Sequence, residues 1–385
     1  MGFSLNKEHQ QFQKKIRDFL RKELEPHVRE IEGAAKFPME FYRLLAENKL
    51  LALNFPKKYG GQEADVVTCA ILIHEMAKLS SGVAGTVTTA GMTAPALLLK
   101  AGTNAQKEKY LHGVATGDTI TSFAITEPNC GSDITNLATQ AVAEGDSYRI
   151  NGTKVFITNG SVANIFLIVA RTGPLRKEFS VFLVEQDRPG FSVSKKFQKL
   201  GWWCQDTTEI CLDDVVVPKE NLVGPEGGGL LDAMTSIGFT RVLLAATGLG
   251  VAEATLEHAI SHTKETVQIG KPLIRQQAVR SALARMAVDI EAGHYLVYGA
   301  ASMMDRGARH RKEAAMAKFY ATELAKRVTR ETLRLYGVEG FSRTHQAAVF
   351  FADTPVFTIA DGTSEIQLEN IAREMGLLKS GEMGL

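Results

Sequence analysis

The hydrophobic period of this chain changes twice, and that change limits the fold more than any other feature. Over residues 5 to about 115, Phe12, Ile16, Phe19, Leu20 and Leu24 recur at helical spacing with Lys, Arg and Glu between them. From about 119 to 218 the period drops to two, in Ile165–Ala170, Ser180–Val184 and Glu209–Leu212. From 229 onward it is helical again, with Val242, Leu243, Ala246, Leu249, Ala252 and Leu256 in one stripe. Helices, then strands, then helices predict an α+β multidomain protein with a small β domain between two helical ones. The expected segments are 1–118, 119–226 and 227–385. Tyr148–Thr158 reads as a hairpin with Asn151-Gly152 at its turn.

Composition narrows the function by exclusion. The 385 residues carry a formal net charge of +1, which gives nucleic acid or an anionic membrane surface nothing to recognise. Cys69, Cys130, Cys204 and Cys211 lack zinc spacing, so no metal is expected and reduced thiols in a cytoplasm are. Met1–Gln10 has no apolar signal core, and no stretch is expected to reach membrane-spanning length.

The stretch Thr358-Ile-Ala-Asp-Gly-Thr-Ser-Glu-Ile-Gln367 marks an apolar run giving way to a helix. Read by itself, Asp361 is a helix cap. Gly82–Met92 is rich in small residues, as close helix packing requires. Gly131-Ser132-Asp133 reads as a turn and Phe156-Ile157-Thr158 as a strand with an aromatic.

Taken together and in this order, these segments resemble the acyl-CoA dehydrogenases. The resemblance covers almost the whole chain and rests on Phe55-Pro-Lys-Lys-Tyr-Gly-Gly61, Phe123–Asp133, Phe156–Thr158, Thr240-Arg241 and Ala360–Gln367. It implies an N-terminal helical domain, a middle β-barrel or sandwich and a C-terminal four-helix bundle. It also implies FAD, a homotetramer, and α,β-desaturation of an acyl-CoA with electrons leaving through an electron-transfer flavoprotein. Phe123, Ile125, Thr126, Gly131 and Ser132 would form one flavin segment, and Phe156, Ile157 and Thr158 the other. Gln268, Gln277, Arg334, Gly337, Val338, Thr363 and Glu365 would contact FAD, some of them across a subunit boundary. Ser132, Arg241, Ala90, Gly91, Ala360 and Gly362 would contact substrate. The backbone N–H of Asp361 would help to hold the thioester oxygen.

Several positions depart from the family pattern. Asp361 stands where a glutamate usually serves as base, and Thr240 occupies the alternative base position, which leaves Asp361 as the expected catalytic residue. Ala360 replaces an aromatic, Gly238 an acidic residue, and Trp202-Trp203-Cys204 an arginine–serine pattern. Thr266 stands in place of an arginine that meets the FAD pyrophosphate, and Arg334 in place of a glutamine, so Arg334 is a candidate substitute guanidinium. The short base, Ala360 and the small Ala90 and Gly91 favour a ring-containing or α-branched acyl group, such as cyclohexanecarboxyl. The alternatives are a linear short-chain enzyme, a reductase or non-oxidative eliminase of the same fold, and a flavin-bound protein without catalysis.

Overall fold

The computed structural model describes residues 4–174 and 178–377. The N-terminal part holds seven α-helices: α1 (Lys7–Glu23), α2 (Val28–Ala34), α3 (Met39–Glu47), α4 (Val66–Ala77), α5 (Ser81–Thr88), α6 (Ala94–Ala101) and α7 (Asn104–Thr116). Their ends follow capping chemistry. Asn6 accepts from the His9 N–H at 2.8 Å, and Thr103 with Gln106 forms a reciprocal capping box on α7. Helices α5 and α6 are continuous through one π turn, Thr89–Thr93.

The middle part holds β1 (Thr121–Ala124), β2 (Gln140–Glu144), β3 (Ser147–Thr158), β4 (Ile165–Arg171), β5 (Phe179–Glu185), β6 (Phe191–Lys196), β7 (Thr207–Pro218) and β8 (Leu222–Val223). The β domain is one eight-stranded sheet whose hydrogen-bonded path runs β6-β7-β3-β2-β4-β5-β8, with β1 parallel to β4. Strand β4 is apolar from Ile165 to Ala170, and that whole run is buried. The expected hairpin at Asn151-Gly152 is displaced. Its turn is Gly145-Asp146, between paired Glu144 and Ser147, and β3 runs unbroken from there to Thr158. Asn151-Gly152 instead sits at a register shift opposite β7. A Cβ on Gly152 would lie 2.3 Å from Thr139 Oγ1, so the glycine serves a close approach rather than a turn.

The C-terminal part holds α8 (Gly229–Glu265), a two-stranded ribbon of β9 (Val267–Gln268) and β10 (Lys271–Pro272), then α9 (Gln277–Asp305), α10 (Arg311–Tyr336), α11 (Gln346–Phe357) and α12 (Ser364–Glu374). Two helical stretches, Ser81–Ala101 and Gly229–Glu265, are long and apolar enough to cross a membrane, contrary to the sequence expectation. They are the central helices of the core: 72% and 82% of their most apolar windows is buried inside the protein.

Trp202-Trp203-Cys204 gains an account from its place between the domains. Trp202 adopts φ 51°, its indole N–H donates to Ser81 Oγ at 2.9 Å, and its ring packs on Phe357. Asp353 accepts from the Trp202 N–H at 2.7 Å and the Ser81 hydroxyl at 2.6 Å. Side chains at Gly82 and Gly85 would collide with Cys204 Sγ and Gln205 Nε2, each at 2.8 Å. The segment therefore locks α5 and α11 to the β domain.

One buried ion pair organises the β domain. Lys154 is fully buried on β3 and donates to Glu127 Oε1 at 2.8 Å and to the Ile125 carbonyl at 3.0 Å. Glu127 also accepts from the Thr139 N–H at 3.0 Å and the Ala138 N–H at 2.5 Å. Burial opposes the Glu127 charge, but Lys154 and these donors hold its carboxyl below the usual range. Glu127→Ala should strand the lysine and cost about 3–5 kcal/mol, read as a lower urea midpoint. A Glu127→Leu/Lys154→Met double variant should recover much of that loss; equal loss in both would show that the pairing is not the cause.

Candidate active site

Asp361 lies at the corner between α11 and α12, in the left-handed region at φ 54°. The cap of α12 is Thr363, whose hydroxyl accepts the Ile366 N–H at 3.3 Å. The capping reading of Asp361 is therefore replaced. A non-glycine residue in that conformation costs on the order of 1 kcal/mol or more and persists only when its surroundings fix it.

Three side chains fix it through the backbone. Arg241 Nε of α8 donates to the Asp361 carbonyl at 3.2 Å. Lys318 Nζ of α10 donates to the Gly362 carbonyl at 2.7 Å. The Gln367 amide of α12 donates to both carbonyls, at 3.1 and 2.8 Å. The Asp361 N–H has no acceptor among the described residues, so it stays available to a developing oxyanion.

The electrostatics around Asp361 oppose one another. Burial pushes its carboxyl above the ordinary aspartate value, while the charges of Lys318 and Arg241 and the Thr240 hydroxyl favour the anion. Burial lowers Lys318 to about 8, with Asp361 acting against that shift. Burial also lowers Arg241, which remains a guanidinium. Both candidate base positions, Thr240 and Asp361, thus converge on one spot, and the carboxylate belongs to Asp361. Sequence reasoning missed Lys318 and Gln367. A lysine in a helical apolar stripe (Ala314, Ala315, Ala317, Ala321) was the available signal, since lysine is seldom fully buried without a partner.

The two segments expected to hold flavin are brought together. The Val155 N–H donates to the Thr126 carbonyl at 2.9 Å, and the Glu127–Lys154 pair ties the same loop to β3. Phe156 adopts φ 57°, which turns its ring outward, 61% exposed and stacked on Phe197 at 4.5 Å. Ile157 is buried, while Phe123, Ile125, Thr126 and Thr158 are partly buried. Gly131 and Ser132 are exposed, and a Cβ on Gly131 would meet nothing within 4 Å. The Thr126 and Thr158 hydroxyls have no hydrogen-bond partner among the described residues. An exposed ring flanked by free hydroxyls and an open loop fits an isoalloxazine and its pyrophosphate.

The other cofactor candidates lie on the surface. Gln268, Gln277, Arg334, Gly337, Val338 and Glu365 are all exposed. The end of α8 meets the end of α10 where His262 stacks on Tyr336 at 3.9 Å, and Thr266 Oγ1 lies 3.2 Å from His262 Nδ1. Thr266 and Arg334 therefore occupy adjoining helix ends. The Arg334 guanidinium is 74% exposed and pairs with Glu331 of its own helix at 2.6 Å.

In the small-residue segment, Ala90 and Gly91 are buried, and Thr121 Oγ1 donates to the Ala90 carbonyl at 2.8 Å. A Cβ on Gly91 would stand 2.8 Å from the Leu51 carbonyl. Close packing accounts for that glycine. The side chains of Thr88, Thr89 and Thr93 are the partly accessible ones around the π turn. Ala360 is partly buried beside Asp361.

Three family models match this architecture in order: the N-terminal domain of acyl-CoA dehydrogenase at residues 6–118, the middle domain at 122–215 and the C-terminal domain at 227–376. An acyl-CoA dehydrogenase of Bacillus subtilis is 39% identical over 94% of this chain and 96% of its own length. A short-chain-specific acyl-CoA dehydrogenase of Clostridium acetobutylicum is 37% identical over 95% and 97%. The structure of butyryl-CoA dehydrogenase from Megasphaera elsdenii superposes with a TM-score of 0.94 at 35% identity, covering 97% of this chain and all of that one. The chain belongs to the acyl-CoA dehydrogenase family, FAD-dependent oxidoreductases that act on a CH–CH bond.

Proposed function

We propose that this enzyme desaturates an acyl-CoA between its α- and β-carbons with Asp361 as the base. The observation that carries this reading is the partly buried Asp361 carboxylate, set in a left-handed corner beside its own free N–H and near the charges of Arg241 and Lys318. When bound, FAD supplies the hydride acceptor. Asp361 takes the α-proton, and its N–H holds the thioester oxygen as negative charge develops there. Arg241, Lys318 and Gln367 keep the corner from relaxing as that charge moves. The four free cysteines suit a reducing cytoplasm, and family membership makes an electron-transfer flavoprotein the expected acceptor and a homotetramer the expected assembly.

The substrate reading rests on Ala360 and on the length of the base. Aspartate is one methylene shorter than glutamate, which withdraws the carboxylate by about 1 Å, and a misplacement of that size costs on the order of 10²-fold. A ring at the α-carbon brings its own volume into the space that Ala360 leaves, and so presents its α-proton closer to Asp361. We therefore favour a cyclohexanecarboxyl-type or α-branched acyl-CoA over a linear short-chain one. Gly91 no longer supports this reading, because the Leu51 carbonyl already fills its space.

Three measurements test the assignment. Asp361→Asn should retain FAD and bind acyl-CoA while losing about 10²- to 10⁴-fold in kcat; near-normal turnover would exclude Asp361 as base. Because burial raises the Asp361 carboxyl, the acid limb of kcat/KM should lie above the ordinary aspartate range. Lys318→Met removes a charge that favours the anion, so it should move that limb to still higher pH, and an unchanged limb would show that Lys318 does not act on the base. In a panel of cyclohexanecarboxyl-, 2-methyl-branched and butyryl- to octanoyl-CoA, kcat/KM should be highest for a cyclic or branched member. A linear optimum would refute the ring-substrate reading and leave the Asp361 assignment standing.

A further inference from the structure

Far from the candidate active site, three helices converge on a second polar cluster. His74 of α4 is fully buried, and its Nε2 lies 2.8 Å from Glu253 Oε2 of α8. His294 Nε2 of α9 lies 3.4 Å from the same oxygen. All three donor atoms fall within 4.8 Å of one another. Glu253 and His294 keep 25% and 30% side-chain exposure, which leaves a path to solvent on one side. None of these residues takes part in the chemistry proposed above. Glu253 is twelve residues along α8 from Arg241, or about 18 Å.

We propose that His74, Glu253 and His294 bind one divalent transition-metal ion, with Zn²⁺ the best fit to the donors, and that the ion staples the N-terminal helical domain to the C-terminal bundle. Four features support this. First, two imidazoles and one carboxylate, with an open position for water, are a donor set that Zn²⁺ and Co²⁺ accept. Second, ligands about 2.0–2.1 Å from a tetrahedral zinc stand about 3.3 Å apart, so the observed 2.8 and 3.4 Å pairs need only side-chain adjustment.

Third, the outer contacts are those of a supported site. His74 Nδ1 is 2.8 Å from the Tyr298 hydroxyl, whose oxygen can accept an Nδ1–H once Nε2 gives up its hydrogen to ligate. Lys78 holds Glu253 through its other oxygen, Oε1, at 2.7 Å, so Oε2 can ligate without breaking that bond. Fourth, the local charge favours a cation. Arg17 neutralises Glu75, and Lys78 is shared between Glu253 and Glu257, which leaves one carboxylate charge in excess beside the two imidazoles.

The position gives the ion a structural consequence. Helix α4 is joined by the short connection 78–80 to α5 and the π turn, the segment expected to face the acyl group. An ion bridging α4 to α8 and α9 would fix that segment from behind.

The test uses the purified full-length protein with its FAD, stripped with chelator and titrated with Zn²⁺ or Co²⁺. Wild type should take up one ion per chain, show visible Co²⁺ absorption of low coordination number, and melt several degrees higher with metal than with EDTA. His294→Ala, a change at a partly exposed side chain, should keep FAD and the EDTA melting temperature but bind at least about tenfold more weakly. Glu253→Gln gives an independent check if that variant is poorly folded. Wild type without stoichiometric uptake, or either variant binding as tightly as wild type, would overturn the site and leave a simple His–Glu–His hydrogen-bonded cluster. Neither result bears on Asp361.

Discussion

Two adjacent carbonyl groups, those of Asp361 and Gly362, are gripped by Arg241, Lys318 and Gln367, and the geometry of the candidate active site depends on that grip. Arg241 and Lys318 come from the long helices α8 and α10, whose packing against each other forms the core of the C-terminal bundle. Their charges are buried, which is costly, and the carbonyls and the Asp361 carboxylate together offset that cost. The backbone is thereby held in a conformation that aspartate would not choose. Burial raises the Asp361 carboxyl while the nearby cations favour its anion, and an unpaired N–H stands beside it; the proposed α-proton removal draws on that balance.

The β domain solves a related problem by a different route. The two segments expected to face flavin lie on β1 with the connection that follows it and on β3. The Lys154–Glu127 pair joins them, with Glu127 reaching on to the Ala138 and Thr139 N–H groups. Beside this latch, the turned-out Phe156 ring is the exception in a strand whose neighbouring Val155 and Ile157 are buried. Alternation itself breaks one step earlier, where Lys154 and Val155 are both buried inside the register shift between Lys154 and Ile157, and Phe156 takes its left-handed conformation within that irregularity.

The family departures also make sense only in three dimensions. Trp202 and Cys204 fill the space above Gly82 and Gly85, so the glycines and the bulky residues are two halves of one contact. Gly91 meets the Leu51 carbonyl and opens no volume. Thr266 and Arg334 are 68 residues apart in the chain, yet sit at helix ends joined by the His262–Tyr336 stack. Glu331 engages the Arg334 guanidinium, so any phosphate there would have to compete with a carboxylate.

The sequence alone determined the order of domains, because hydrophobic period is a local property and switches with backbone geometry. It placed Thr363 at a helix start, because caps, turns and short motifs are read over a few residues. Other features were decided by tertiary structure. Asn151-Gly152 looks like a turn, yet Thr139 and the β7 register hold it inside a strand. Asp361 looks like a cap, yet two distant side chains, Arg241 and Lys318, together with Gln367 of the next helix hold it in a left-handed corner. Lys318 in an alanine-rich stripe and His74 in an apolar helix carry no local mark of their partners, which lie 44 and 179 residues away. Buried polar groups are matched across the fold rather than along the chain, because desolvation is met by whatever donor or acceptor packing brings near.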